Sequence, residues 1–389
     1  MERRLFMESY VIIGGGNAGV SAAQAIREID KASSLCIITD EHDLPYRRPM
    51  LTKNFSGIDS SNPYAMHDEA WYEALAIELC HDSALGIDLA GKTVSLASGS
   101  SRSFSKLIIA SGSRCFIPPF AGSDSANVVS IRKTDDVRRL SGILKDSASA
   151  AVIGGGVLGI EAAWEMRKMG KAVSVIEAAP ALMPRNLDRD AAAIILSKAK
   201  EQGVNIILAA KTASIGTDGV TLEGGSLVPG DAVVLSCGVR SNISLAQEAG
   251  IACDRAIIVD DHMRTSVPDV YACGDCAQYS GFCAGIWPVA GAEGKVAGTN
   301  AAGGDCLYAP KAYAMMMNAL GTGLYSAGKI ASEGAQSKTI ETPSVWIRLY
   351  YTDSKLTGFI MIGDTKKAFG LSPLLERGAS EEEVSSFLK

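Results

Sequence analysis

The chain has 389 residues, too many for one ordinary core, which implies two or three domains. Apolar residues make up 47% and charged residues 21%, and the formal net charge of −6 argues against nonspecific nucleic-acid binding. No apolar run reaches the roughly 18 residues of a membrane span; nine scattered cysteines do not make a small disulfide scaffold, and four histidines without paired C-x-x-C motifs argue against a metal site.

The first nine residues carry two arginines and run straight into a glycine-rich turn, with no cleavage-type segment between them. That start predicts a cytoplasmic protein. Next, the apolar run Tyr10-Val11-Ile12-Ile13 leads into Gly14-Gly15-Gly16-Asn17-Ala18-Gly19, an Ala-rich helical stretch and a second apolar run at 35–39. The same order returns 140 positions later. Ala150-Ala151-Val152-Ile153 leads into Gly154-Gly155-Gly156-Val157-Leu158-Gly159, a helical stretch and an apolar run at 172–176. Each copy reads as a buried parallel strand, a G-x-G-x-x-G turn, a helix and another strand, that is, one β-α-β unit.

The chemistry of such a turn is specific. Gly14 permits the tight turn, Gly16 lets the backbone approach a pyrophosphate, and Gly19 lets helix and strand pack closely; Gly154, Gly156 and Gly159 repeat the set. The helix N-terminus then offers free N–H groups to phosphate. An acid closes each unit and can accept from ribose hydroxyls. In the first unit the strand register favours Asp40, with Glu41 beside it. In the second the acid is Glu177, 18 residues past Gly159. A carboxylate there accepts from a 2′-OH and repels a 2′-phosphate, and Ala178-Ala179-Pro180 brings no arginine, so NADH is favoured over NADPH. Arg185 and Arg189 lie a little downstream.

Three further runs read as strands ending in glycine: Leu107-Ile108-Ile109-Ala110-Ser111-Gly112, residues 231–238 with Cys237-Gly238, and Val270-Tyr271-Ala272-Cys273-Gly274-Asp275. Residues 289–301 form an Ala/Gly-rich helix candidate after Trp287-Pro288. From Pro310 the character changes, with strand-like runs at 345–351 and 359–362 and a polar helix at the end.

On these motifs the chain resembles the pyridine-nucleotide flavoproteins related to glutathione reductase, up to about residue 305. The resemblance implies an α/β fold with two Rossmann-like domains, one for FAD and one for NADH, plus a small α+β C-terminal domain. Motif order gives residues 1–114 as the first part of the FAD domain, 115–241 as the NADH domain, 242–308 as the second part of the FAD domain and 309–389 as the C-terminal domain. The family's third signature stands as Thr265-Ser266-Val267-Pro268-Asp269-Val270-Tyr271-Ala272-Cys273-Gly274-Asp275. It implies that Asp275 holds the flavin ribityl chain, beside Gly274. The short element Ala110-Ser111-Gly112 matches the family with serine in place of threonine. By the same resemblance Asn17, Ala18, Ala84, Val157, Leu158, Cys237 and Gly238 join the cofactor-binding set. Cys273-Gly274-Asp275-Cys276 has the spacing of a redox pair, but it overlies this signature, which leaves the cysteines as core residues.

What is missing narrows the subfamily. Disulfide reductases of this type carry a C-x4-C pair soon after the FAD acid, and NADH oxidases carry one cysteine there. Here the stretch Glu41-His42-Asp43-Leu44-Pro45-Tyr46-Arg47-Arg48-Pro49-Met50-Leu51-Thr52-Lys53 has none. It resembles instead the L-P-Y-x-R-P-x-L-[TS]-K run of oxygenase-type ferredoxin reductases, apoptosis-inducing factors and NADH:rubredoxin oxidoreductases. That likeness implies Arg48 at the FAD phosphates and a catalytic pair of Lys53, near flavin N5, with Glu161. A cation there stabilises negative charge on a reduced flavin. Arg132 resembles an FAD-touching arginine, and Trp287-Pro288 the start of a helix aimed at the flavin. The wording Asp260-Asp261-His262-Met263-Arg264-Thr265-Ser266 is similar to that of the NADH:rubredoxin oxidoreductases.

The expected function is electron transfer from NADH through FAD to a small redox protein, rubredoxin or a ferredoxin-like carrier, with no nucleic-acid or membrane partner and a monomeric or homodimeric state. Rival readings are a ferredoxin reductase, an NADH-feeding component for nitrite, nitric oxide or oxygen reduction, and an NADH-sensing interaction protein.

Overall fold

A computed structural model describes residues 8–53, 55, 64–312 and 314–388. Of the N-terminal reading, residues 1–7 lie outside these.

Two five-stranded parallel sheets form the body. The first runs Val270–Ala272, Lys106–Ile109, Ser9–Ile13, Ser34–Thr39, Glu78–His81, and the second Val204–Ile207, Ala172–Ile176, Ser149–Ile153, Ala232–Leu235, Val128–Val129. Their central strands are the apolar runs ahead of the two glycine turns. Both faces of each are covered, so Ile12, Ile108, Val152 and Val233 are fully buried. Each sheet also has an antiparallel three-stranded neighbour: residues 84–103 beside the first and 212–229 beside the second. Strands Ser113–Cys115 and Val239–Ser241 pair antiparallel where the chain crosses between the two sheets.

The helix Asn17–Ile29 packs on Trp287–Ala301 through small residues. A Cβ on Gly294 would stand 2.2 Å from the Ala18 carbonyl oxygen, and one on Gly298 2.2 Å from that of Ala22. Only glycine allows backbones this close, which explains the glycine and alanine content of the second helix.

Residues 314–363 form a five-stranded antiparallel sheet, backed by the helices Ala368–Glu376 and Glu381–Leu388. Alternation decides which way it faces. In the strand Lys355–Gly363, Ile360 and Ile362 turn toward Ala162 and Met166 of the second Rossmann unit and toward Leu51. Phe359 and Met361 turn the other way, onto Ala368, Leu371 and Val384. Among the described residues no helix is long and apolar enough to cross a membrane.

Candidate functional site

Two clefts open at the carboxyl ends of the central strands, where ligands bind in open α/β sheets. The first is about 600 Å³ and is lined by Gly14, Gly16, Asn17, Ala18, Asp40, Glu41, Arg48, Ala84, Ala110, Ser111, Gly112, Arg132, Asp275 and Trp287. Its floor is the glycine turn. Gly14 has φ +118, and a Cβ there would stand 2.1 Å from the Ala110 carbonyl oxygen. Gly16 caps the helix without a side-chain hydrogen bond and has open space where a Cβ would go. The N–H groups of the first helical turn thus face a space free of side chains, which suits a diphosphate. Gly19 and Gly274 are packing positions behind this wall: their Cβ atoms would meet the Gly14 oxygen at 2.0 Å and the Ala18 methyl at 2.8 Å. Pro288 opens the helix Trp287–Ala301.

Charged groups ring the cleft in one network. Arg48 donates to Glu41 Oε1 at 2.7 Å and to the carbonyl of Arg132. Arg132 donates to Asp275 Oδ2 at 3.0 Å, and Ser113 Oγ donates to the same oxygen at 2.8 Å. The position of the first acid differs from the register count. Ile38 pairs with Ile13 as Ile176 pairs with Ile153, so Thr39 is the counterpart of Glu177 and Asp40 lies one position beyond. Asp40 pairs with Lys133 at 2.6 Å at the exposed edge of the cleft, whereas Glu41 is bound by Arg48 and Tyr46.

The second cleft, about 700 Å³, is lined by Gly154, Gly156, Val157, Leu158, Glu177, Cys237 and Gly238, together with residues 183–186. Gly159 packs behind it, as Gly19 does in the first unit. Both Glu177 oxygens are engaged: Oε2 accepts from Gly155 N and Oε1 from Ala179 N, each at 2.7 Å. Burial pushes the Cys237 thiol up to about 11, so it stays protonated in the cleft.

Thr52, Ile131, Arg132 and Leu158 line both clefts, which therefore meet. Beside that junction Lys53 Nζ stands 3.4 Å from Glu161 Oε1. Glu161 is buried, and Thr52 Oγ1 donates to its other oxygen at 2.6 Å. Burial pushes the Glu161 carboxyl up, against the opposing pull of Thr52 and Lys53. A lysine from the stretch after the first unit and a glutamate just after the second fingerprint thus come together across 108 positions of chain. Thr52 and Ser113 were absent from the sequence-derived set. Thr52 adjoins Lys53 in a quoted motif, and Ser113 had no signal. The Cys273 and Cys276 thiols are wholly buried and both are pushed up by burial, Cys276 to about 11, so neither is poised as a thiolate. At a turn elsewhere Asp260, Asp261 and His262 approach within 4.8 Å. Both ring nitrogens of His262 are taken there, by Asp261 and Asp305.

Glu293 is a further buried acid that the sequence did not mark. Its Oε2 accepts from Gly274 N at 2.8 Å, and burial raises its carboxyl from 4.5 to about 7. A folded-state value above the unfolded one means that its stabilising contribution is complete below pH 4.5 and is lost as pH rises through about 7. Glu293→Gln keeps the acceptor and removes the titration. Its stability relative to wild type is expected to rise by about 2–3 kcal/mol between pH 5 and pH 8. Urea unfolding at the two pH values measures this, and a pH-independent difference would refute it.

Comparisons with known proteins agree with this architecture. Residues 8–295 match the family described as pyridine nucleotide-disulphide oxidoreductase. The chain is 31% identical over 379 residues to the NADH-rubredoxin oxidoreductase of Clostridium acetobutylicum, covering 97% of this chain and 96% of that protein. It is 30% identical over 386 residues to the NAD(P)H nitrite reductase of Bacillus subtilis, covering 96% of this chain and 48% of that one. The chain thus spans about half the length of some of the curated relatives it matches. Among solved structures, the ferredoxin reductase for the CYP199A2 system of Rhodopseudomonas palustris aligns with a TM-score of 0.90 at 26% identity, over 97% of this chain and 96% of that one. With the family match running through both glycine turns and the junction between the clefts, the chain belongs to the pyridine nucleotide-disulphide oxidoreductase family.

Proposed function

We propose that the chain takes electrons from NADH through bound FAD and passes them to a small redox protein, rubredoxin in the first instance. The observation that carries this is the shared wall of the two clefts, with the Lys53–Glu161 pair beside it. The first cleft fits FAD: an uncapped helix start for the diphosphate, Arg48 near it, and the Asp275 carboxylate for a hydroxylated chain. The second fits NADH, with Glu177 excluding a 2′-phosphate by charge. Bound FAD supplies the conversion of a two-electron donor into single-electron steps.

The protein's own part is positioning and electrostatics. Thr52 orients Glu161, Glu161 orients the Lys53 ammonium, and Leu158 and Ile131 give the junction an apolar lining. The 41–53 stretch carries no cysteine, so disulfide chemistry at that place is not proposed. The pairing of the crossing strands Ser113–Cys115 and Val239–Ser241 supports domain limits at 114 and 241, with the C-terminal unit from 309. Nine free thiols support a reducing, cytoplasmic setting.

A second reading, in which the chain feeds a nitrite- or nitrate-reducing partner, is favoured by the long alignments to the two Bacillus subtilis proteins of that kind. Anaerobic titration with NADH followed by oxidised rubredoxin separates the readings. Bleaching of the flavin band with fast, catalytic rubredoxin reduction is the expected result. Bleaching without rubredoxin reduction moves the acceptor elsewhere, and a protein that neither contains nor takes up flavin refutes the proposal.

A further inference from the structure

The C-terminal sheet touches the chain at Asn186 and Asp188, at the end of a segment that lines the second cleft. Arg348 and Tyr350 are alternate residues of the strand Val345–Thr352 and so share a face. Arg348 Nη1 donates to Asp188 Oδ2 at 2.9 Å and to Asp190 Oδ2 at 2.8 Å, and the Tyr350 hydroxyl donates to the same Asp188 oxygen. The other oxygen of Asp188 caps the helix Arg189–Glu201 by accepting from Ala191 N at 2.8 Å. Two residues upstream, the Asn186 carbonyl accepts from Ser326 Oγ, on a neighbouring stretch of the same sheet, at 2.6 Å. Arg348 is itself fixed from its own side, over the Trp346 ring at 4.9 Å and by a bond from Nε to Thr339.

These bonds fix Asn186 directly and Asp188 just beyond it, and so anchor the C-terminal end of residues 183–186, which line the second cleft. Met183 there has φ +48, a left-handed conformation that a methionine keeps only where its surroundings impose it. Arg185, two residues on, is exposed and lines the cleft. A loop with one strained residue and a long cation at its tip needs outside support to present that cation in one place.

We propose that the C-terminal sheet is a positioning element for the dinucleotide: Arg348, Tyr350 and Ser326 hold residues 183–186 so that Arg185 meets the anionic part of NADH. This rests on the reading that the second cleft takes NADH. Arg348, Tyr350 and Ser326 touch no substrate; they act through the loop.

The test uses the full, FAD-loaded chain. Binding of NAD+ is measured by calorimetry, and NADH KM and kcat with an artificial one-electron acceptor. Tyr350→Phe keeps the ring in the core and removes only the hydroxyl; combined with Ser326→Ala it cuts two of the supports. This double variant and Arg348→Met are each expected to weaken NAD+ binding and raise the NADH KM roughly 5- to 30-fold. The kcat stays within about twofold and flavin content is unchanged. Arg185→Ala weakens binding similarly, and adding Arg348→Met to it brings little further loss, because the two act through one contact. Should Arg348→Met unfold the sheet, the Tyr350→Phe/Ser326→Ala variant decides. Wild-type affinity and KM in that variant overturn the proposal, as does full additivity of Arg185→Ala with Arg348→Met. If wild type itself binds no NAD+, the reading of the cleft falls and the support role falls with it. If wild type binds and the variants bind equally, the support role alone is wrong.

Discussion

Gly154→Ala is expected to abolish NADH binding while the protein keeps its flavin. Gly154 has φ +115, which an L-residue with a side chain rarely adopts, and its Cβ would stand 2.3 Å from the Ser236 carbonyl oxygen. Gly154 and Ser236 each follow directly on a strand of one pair. Ile153 lies opposite Leu235 in the sheet, so relief requires the two strands to part or the turn to rebuild. The backbone conformation alone costs about 1–3 kcal/mol and the collision adds to it. Either escape moves the helix start that faces the second cleft. Gly14→Ala is the matching change in the first unit, with its Cβ 2.1 Å from the Ala110 oxygen. It is expected to yield protein without flavin. Absorbance of the purified variants and NADH titration check both. A Gly154→Ala protein with wild-type NADH affinity, or a fully flavin-loaded Gly14→Ala protein, would mean that the clefts are assigned wrongly.

Lys53→Met is expected to lower the rate of NADH-dependent bleaching of the flavin band about 100-fold, with flavin content unchanged. A fixed cation aimed at developing negative charge is worth about 10²–10³ in rate. Lys53 retains 31% exposure, and solvent screening places it at the lower end of that range. Glu161→Ala acts one step away. It leaves the buried Thr52 hydroxyl without its acceptor and the ammonium without its orienting partner. A loss of roughly 10-fold follows, smaller because the cation itself remains. Anaerobic stopped-flow mixing with NADH measures both. If Lys53→Met reacts at the wild-type rate, the pair has no part in the transfer.

The two β-α-β units were legible because their instructions are local. Strand, turn glycines, helix and second strand occupy about 30 consecutive residues, and the backbone geometry they need is written in the residues themselves. Two runs of the C-terminal sheet were legible for a similar reason, 359–362 as an unbroken apolar stretch and 345–351 as one broken only by Arg348. The strand Gln336–Glu341 was not, because five of its six residues are exposed and it has no apolar alternation to read. Asp40 and Glu41 both line the first cleft, and their partners, Lys133 for one and Arg48 and Tyr46 for the other, come from the packed chain rather than from the count along the strand.

By itself the sequence determined the family, the two dinucleotide turns and the absence of a cysteine at residues 41–53, since each is a matter of residue type at short spacing. Only the tertiary structure decided that the clefts share a wall, that Glu293 is buried against Gly274, and that Asp188 is gripped by Arg348 from 160 positions away. Those facts depend on which distant segments pack together and on the water they exclude. Burial and partnership are properties of the packed chain, and no window of neighbouring residues contains them.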